Sequence, residues 1–137
     1  AQLGNHFDMP HQAALLSLAQ GLIDLKLLKG SVDGAIESGA YRTFCPSKTS
    51  HWLGIDVHDA GDYRVGGAWR EFEAGMVITV EPGIYVPADL PGVAAKWRGT
   101  GIRIEDEVLI TRDSPRVLTE DAPKTVKDIH AMMRRKL

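Results

Sequence analysis

Met76-Val77-Ile78-Thr79-Val80-Glu81-Pro82-Gly83-Ile84-Tyr85-Val86 is a β-branched run, a carboxylate, a Pro-Gly stop and a second short apolar run. Val, Ile and Thr suit a pleated, half-buried surface. Residues 76–81 therefore predict a strand, and Ile84-Tyr85-Val86 predicts its continuation past a kink at Pro82-Gly83. A loop from Pro87 to Gly99 follows. From Gly101 to Thr111, Ile102, Ile104, Val108 and Ile110 alternate, interrupted near Glu105-Asp106-Glu107. That predicts a second strand with acidic residues near its middle. Val117-Leu118 predicts a short third strand.

Upstream the period changes. Ala14, Leu15, Leu18, Leu22, Leu25 and Leu28 fall at helical spacing and predict a helix over Pro10–Leu28. Asp8 is its expected N-cap, Pro10 is tolerated in the first turn, and Gly30 is its expected stop. Ser31 predicts the cap of a shorter helix, Val32–Ser38, ended by Gly39. Residues Tyr41 to Gly75 are polar and turn-rich, and read as a functional excursion. Asp121 to Lys136 predicts a terminal helix with Val126, Ile129, Met132 and Met133 on one side. Helices, then an antiparallel sheet, then a helix define the α+β class.

The 137 residues are 44% hydrophobic and 25% charged, which suits one globular domain with a real core. A net charge of −2 argues against a dedicated nucleic-acid surface, which is normally basic. The one basic cluster, Arg134-Arg135-Lys136, fits the last turn of a helix, where cations complement the macrodipole. A single cysteine, Cys45, excludes an intrachain disulfide and suits a reducing compartment, so a cytoplasmic protein is expected. The apolar stretch around Leu15-Leu16 and Leu22-Ile23 is broken by Gln20, Asp24 and Lys26, so no membrane span is expected. Ala1-Gln2-Leu3-Gly4-Asn5 lacks a charged n-region and does not read as a signal peptide. It reads as the beginning of a segment from within something longer.

Three frames hold the chemistry: Ser50-His51-Trp52-Leu53-Gly54-Ile55-Asp56-Val57-His58-Asp59, Thr79-Val80-Glu81-Pro82-Gly83 and Gly101-Ile102-Arg103-Ile104-Glu105-Asp106. One imidazole and two carboxylates make a mixed N/O donor set suited to Mn, Fe, Co or Zn. A carboxylate buried in a strand must be paired, hydrogen-bonded or metal-bound. Taken singly, each residue has a plainer alternative. Glu81 is equally a surface residue at a strand end, and Glu105 a residue on a solvated strand face. His51 is equally a core-edge histidine, His58 the partner of Asp59, and Arg103 the partner of Glu105.

Together the frames match one family in order and spacing. His51-Trp52-Leu53-Gly54 with His58-Asp59, Thr79-Val80-Glu81-Pro82-Gly83-Ile84-Tyr85, and Arg98-Gly99-Thr100-Gly101-Ile102-Arg103-Ile104-Glu105-Asp106 resemble aminopeptidase P, the Xaa-Pro aminopeptidase of the methionine aminopeptidase/creatinase superfamily. The resemblance runs from about Gly4 to the C-terminus and includes Leu27-Leu28-Lys29-Gly30-Ser31-Val32-Asp33 and Pro123-Lys124-Thr125-Val126. It implies a "pita-bread" catalytic domain of two pseudo-symmetric halves, of which residues 1–137 are the C-terminal half. It implies removal of an N-terminal residue that precedes proline, with two divalent metals, commonly Mn, acidifying the attacking water. By the same resemblance His51 would be the sole imidazole ligand of one metal, Glu81 a carboxylate ligand of that metal, and Glu105 the bridge to the second. His58 would contact substrate and stabilise the developing oxyanion. Arg103 would orient the ligands through hydrogen bonds, and Tyr85 would lie near the bound peptide.

Two departures stand out. The family takes two further aspartate ligands from its first half, in a motif resembling Asp-Ala-Gly…Asp-(Ile/Val)-Thr-Arg, and that motif is absent from this sequence. The family also places a histidine four residues before the ligand histidine, where this chain has Ser47. The expectation is a truncated metalloaminopeptidase segment, inactive alone and weak in metal. It would pair with a missing first half, or with a second copy of itself as a two-fold dimer. The alternative is a non-catalytic binding or interaction module that keeps the same fold.

Overall fold

The computed structural model describes residues 1–134. Two helices, α1 (Met9–Asp24) and α2 (Val32–Glu37), come first. A tight hairpin follows, β1 (Arg64–Val65) and β2 (Ala68–Trp69), then β3 (Val77–Val80) and β4 (Gly83–Tyr85). The chain ends with β5 (Gly101–Arg103), β6 (Asp106–Leu109), β7 (Arg116–Val117) and α3 (Val126–Met133). This is the α+β order expected from the sequence.

Helix α1 starts where predicted but ends at Asp24, short of Leu28. Lys26 takes a left-handed φ of 60°, and the N–H groups of Leu27 and Leu28 fold back to the Leu22 carbonyl at 2.9 and 3.1 Å. The leucines past the break still pack on the core, but from a turn. Asp8 does not cap with its carboxylate, which accepts from Gln12 Nε2 at 2.8 Å and from Lys48 Nζ at 3.0 Å instead. Ser31 does cap α2, its Oγ accepting the Gly34 N–H at 3.1 Å.

The predicted first strand and its kinked continuation are β3 and β4. The predicted second strand is broken in two, β5 and β6, with Ile104-Glu105 between them. β3 pairs antiparallel with β6, and β6 with β7; β4 pairs antiparallel with β5. The third strand lies one residue earlier than expected, at Arg116–Val117. On the other edge of β3, residues 49–53 run alongside as an irregular strand. Glu81 N–H reaches Thr49 O at 2.8 Å, Thr79 N–H reaches His51 O at 3.0 Å, and Leu53 N–H reaches Val77 O at 3.1 Å.

The polar, turn-rich excursion from Tyr41 to Gly75 contains the β1–β2 hairpin. Gly66 and Gly67 both have positive φ, 59° and 86°. This is the two-residue turn that suits the twist of paired strands, and Gly-Gly is among its sequence signals.

Two cores result. Phe7, Trp52, Phe72, Ile78, Val108 and Ile110 fill the space around β3 and β6. Leu15, Leu22, Tyr41, Phe44, Cys45 and Val86 bind α1 to the segment after α2 and to the end of β4. Burial pushes the Cys45 thiol up to about 11. The terminal helix starts later than Asp121, because Thr125 caps it by accepting the Asp128 N–H at 3.1 Å. Its expected apolar side, Val126, Ile129, Met132 and Met133, is exposed. The predicted extension of this helix to Lys136, with Arg135 and Lys136 of the basic cluster, lies outside the described residues. Among the described residues no helix is long and apolar enough to cross a membrane.

Candidate metal centre

Proline has no N–H to give a ladder, so Pro82 interrupts β3–β4 one residue after Glu81. The partner strand is interrupted at the same level. Val80 faces Asp106 and Gly83 faces Arg103, so the register carries through both gaps. Glu81 therefore stands opposite Glu105. Like charges directly opposite one another are destabilising in a sheet, so this pairing calls for a cation.

The irregular strand at residues 49–53 brings the third group. His51 lies opposite Thr79, and its Nε2 is 3.0 Å from Glu81 Oε1. One donor atom each from His51, Glu81 and Glu105 can be chosen so that all lie within 4.8 Å of one another. His51 Nδ1 is 2.9 Å from the Trp52 carbonyl oxygen. A carbonyl can only accept, so Nδ1 carries a proton and Nε2 is the ring atom turned to the carboxylates. This is the arrangement by which metal-ligating histidines are oriented. Two acceptors 3.0 Å apart, Nε2 and Glu81 Oε1, also need a proton or a cation between them. The donor set fits a divalent metal on both counts.

Glu81 is held from several sides. Thr79, 1% exposed, donates its hydroxyl proton to Glu81 Oε1 at 3.1 Å and accepts the His51 N–H at 3.1 Å. Arg103 Nη1 lies 3.4 Å from Glu81 Oε2, and Arg103 Nε donates to the Tyr85 hydroxyl at 2.7 Å. A Cβ built on Gly83 would stand 2.7 Å from that hydroxyl, so only glycine lets the Tyr85 ring lie where Arg103 meets it. His58 is exposed, with its ring edge-on to that of His51 at a centroid distance of 4.4 Å.

A cavity of about 730 Å³ opens beside these groups. His51, His58, Glu81 and Arg103 line it, and so does Ser47. Glu105 and Tyr85 are not among its lining residues. The lining also includes Asp8, His11, Lys48, Arg64 and Trp69, which the sequence did not point to. Lys48 Nζ is 5.5 Å from the Trp69 ring centre, and the Arg64 guanidinium lies 4.0 Å over the same ring. Burial chiefly, and then the Lys48 charge, lower the His11 pKa from its ordinary value. Burial alone would raise Asp8, but hydrogen bonds from Lys48 and Gln12 and the nearby positive charge outweigh it and hold the carboxyl below its ordinary range. No spacing rule links residues 8, 11, 48, 64 and 69; only Gly66-Gly67, which turns Arg64 back towards Trp69, could have pointed to part of this lining.

These donors could hold a divalent metal, and the chain belongs to metallopeptidase family M24, whose model matches residues 10–112. It is similar to the Xaa-Pro aminopeptidase of Haemophilus influenzae, 45% identical over 130 residues that make up 95% of this chain and 30% of that one. Among solved structures it is similar to Pseudomonas aeruginosa aminopeptidase PepP, with 51% identity, a TM-score of 0.93, and coverage of 96% of this chain and 30% of that one. It is also similar to proline aminopeptidase P II from Yersinia pestis, with 40% identity, a TM-score of 0.88 and the same coverage. The fold is that of part of the aminopeptidase P pita-bread fold, and the chain spans about 30% of the length of these relatives.

Proposed function

We propose that residues 1–137 form the C-terminal half of the catalytic domain of an Xaa-Pro aminopeptidase, and that His51, Glu81 and Glu105 are metal ligands. The observation that carries the reading is the convergence of those three donors within 4.8 Å, with the His51 tautomer fixed by Trp52. His51 and Glu81 would hold one metal, and Glu105, exposed at the gap in the partner strand, would be the ligand shared with a second. Manganese is the proposed ion because the family resemblance implies it; the donor set of one imidazole and two carboxylates suits Mn, Fe, Co or Zn alike. When bound, the metal supplies Lewis acidity and a water of lowered pKa.

The chain's own groups do the rest. Arg103 and Thr79 hold the Glu81 carboxylate in one orientation from opposite oxygens. His58, on the rim, donates an N–H to the oxygen that gains charge when the scissile carbonyl is attacked. Tyr85 anchors Arg103 and borders the bound peptide. Trp69, with Lys48 and Arg64 against its ring, lines the same cavity and offers the peptide an aromatic and cationic surface. The two aspartates of the family motif are not in this sequence, so the second metal would need carboxylates from elsewhere: a first half, or less economically a second copy. The chain by itself is accordingly proposed to bind metal weakly and to hydrolyse Xaa-Pro peptides poorly. A cytoplasmic location is proposed from the lone buried Cys45.

Calorimetric titration of the full-length protein with Mn(II), followed by release of the N-terminal residue from an Xaa-Pro peptide, tests the reading. Glu105→Gln should abolish Mn-dependent release. Undiminished release in Glu105→Gln would remove Glu105 from the centre.

A further inference from the structure

Glu105 sits in a gap. Its neighbour Ile104 is tied only by a long N–H bond to Pro82 O at 3.3 Å, and the β6 ladder begins one residue later, at Asp106. The placement of Glu105 therefore depends on what holds Asp106. Successive residues of an extended chain point to opposite faces, so Asp106 faces away from the metal centre. There the segment after β7 is strapped across it. Asp106 Oδ1 accepts from Lys124 Nζ at 2.9 Å and from the Thr119 hydroxyl at 2.6 Å. Lys124 also donates to the Thr119 carbonyl at 2.8 Å. Thr119 Oγ1 accepts the Glu107 N–H at 3.1 Å, and the Leu118 N–H reaches Glu107 O at 2.8 Å.

This differs from a loose surface pair. The Lys124 and Asp106 side chains are only 25% and 26% exposed, and the ammonium satisfies a carboxylate and a backbone carbonyl together. It also neutralises the middle charge of three consecutive acidic residues, Glu105-Asp106-Glu107. Without it, Asp106 would add like charge next to a carboxylate that already faces Glu81.

We propose that Lys124 is a positioning residue for the metal centre: through Asp106 it fixes the start of β6 and so sets the Glu105 carboxylate opposite Glu81. The inference rests on the ligand role proposed for Glu105. It assigns a function at that site to the strap at residues 118–125, which no ligand argument reaches.

The test is Mn(II) titration calorimetry on the full-length protein, beside thermal unfolding of the metal-free form. Lys124→Met should weaken Mn binding about tenfold or more, the range for a lost hydrogen-bond partner behind a ligand. Lys124→Arg should keep most of the affinity. Thr125→Ala, which removes only the α3 cap, should lower the melting temperature and leave Mn affinity as it is. Wild type that binds no Mn removes the metal-centre reading, and this inference with it. Wild type that binds, with Lys124→Met within about twofold of it, overturns the positioning role alone. Equal losses of affinity in Lys124→Met and Thr125→Ala also overturn it, because general destabilisation would then explain both. If Lys124→Met does not fold, Lys124→Gln carries the same comparison, since it removes the ammonium from Asp106 and leaves the Thr119 hydroxyl with both of its bonds.

Discussion

Thr79→Val is the sharpest perturbation of the centre that leaves every donor atom in place. Valine has nearly the shape of threonine and suits β3, so the strand should persist. What is lost is one oxygen that joins two site residues: it donates to Glu81 Oε1 and accepts from the His51 N–H, both at 3.1 Å. Thr79 is 1% exposed, so water cannot replace it without rearrangement. The orphaned His51 N–H costs about 1–3 kcal/mol, and a lost bond to a charged acceptor about 1.5–3 kcal/mol. Glu81 keeps His51 and Arg103 as neighbours, so the second cost falls at the low end, and an added buried methyl returns about 0.8 kcal/mol. The expected net loss of stability is about 2–3 kcal/mol. Metal affinity should fall about 10–100-fold, as when a group behind a ligand is removed. Thr79→Ser keeps the hydroxyl and should recover most of the affinity. Denaturant unfolding of the metal-free protein and Mn(II) calorimetry measure the two effects. Stability within about 0.5 kcal/mol of wild type, with unchanged affinity, would refute the claim that Thr79 couples His51 to Glu81.

Gly83→Ala should displace the Tyr85 hydroxyl from its place 2.7 Å from the new Cβ and free Arg103 from it; a crystal structure of the variant with Tyr85 unmoved would contradict this. Cys45 is buried, with its thiol pushed up to about 11, so it should resist a thiol reagent at pH 8 until the protein is unfolded; fast labelling of the native protein would show that its pocket opens. His11 has a pKa below its ordinary 6.5 in the folded state, so the unfolded chain takes up the proton first and stability falls as pH drops below about 6.5. His11→Gln should flatten that limb of a stability-against-pH profile, and an unchanged slope would mean that His11 does not contribute to it. Asp8 is likewise depressed, so its contribution is present above the ordinary 3.8 and is lost as pH falls further; Asp8→Asn should remove that lower limb, and a limb that survives belongs to other carboxylates.

The strands were legible because their residues carry local signals. A β-branched run ended by Pro-Gly, and an alternating run interrupted by acids, both announce a strand and its break. The matching of the two breaks was not legible, because register depends on which residues face each other across the pair. Helix boundaries failed for a related reason. Leu25 and Leu28 continue a helical stripe on paper, but the turn at Lys26 lets Leu27 and Leu28 pack from outside the helix. The terminal helix is where the sequence places one, and its apolar residues Val126, Ile129 and Met132 are exposed among the described residues.

The centre divides in the same way. His51, Glu81 and Glu105 could be named from their frames, but no frame says why they should meet. The structure answers with strand order. Residues 49–53, β3 and β6 run side by side, so the three proposed ligands stand in or at the ends of three neighbouring chain segments, all near the point where Pro82 breaks the sheet. A continuous ladder there would satisfy the backbone and leave Glu81 and Glu105 as a repelling cross-strand pair. The break relieves the backbone constraint but not the repulsion. Arg103 offsets part of it from the Glu81 Oε2 side, and Lys124 removes the neighbouring charge of Asp106. Among the described residues, His51 Nε2 is the third group turned to the Glu81–Glu105 pair, 3.0 Å from Glu81 Oε1. Two carboxylates and an imidazole nitrogen within 4.8 Å of one another form a donor set that a divalent ion would satisfy at once, with the donors already oriented.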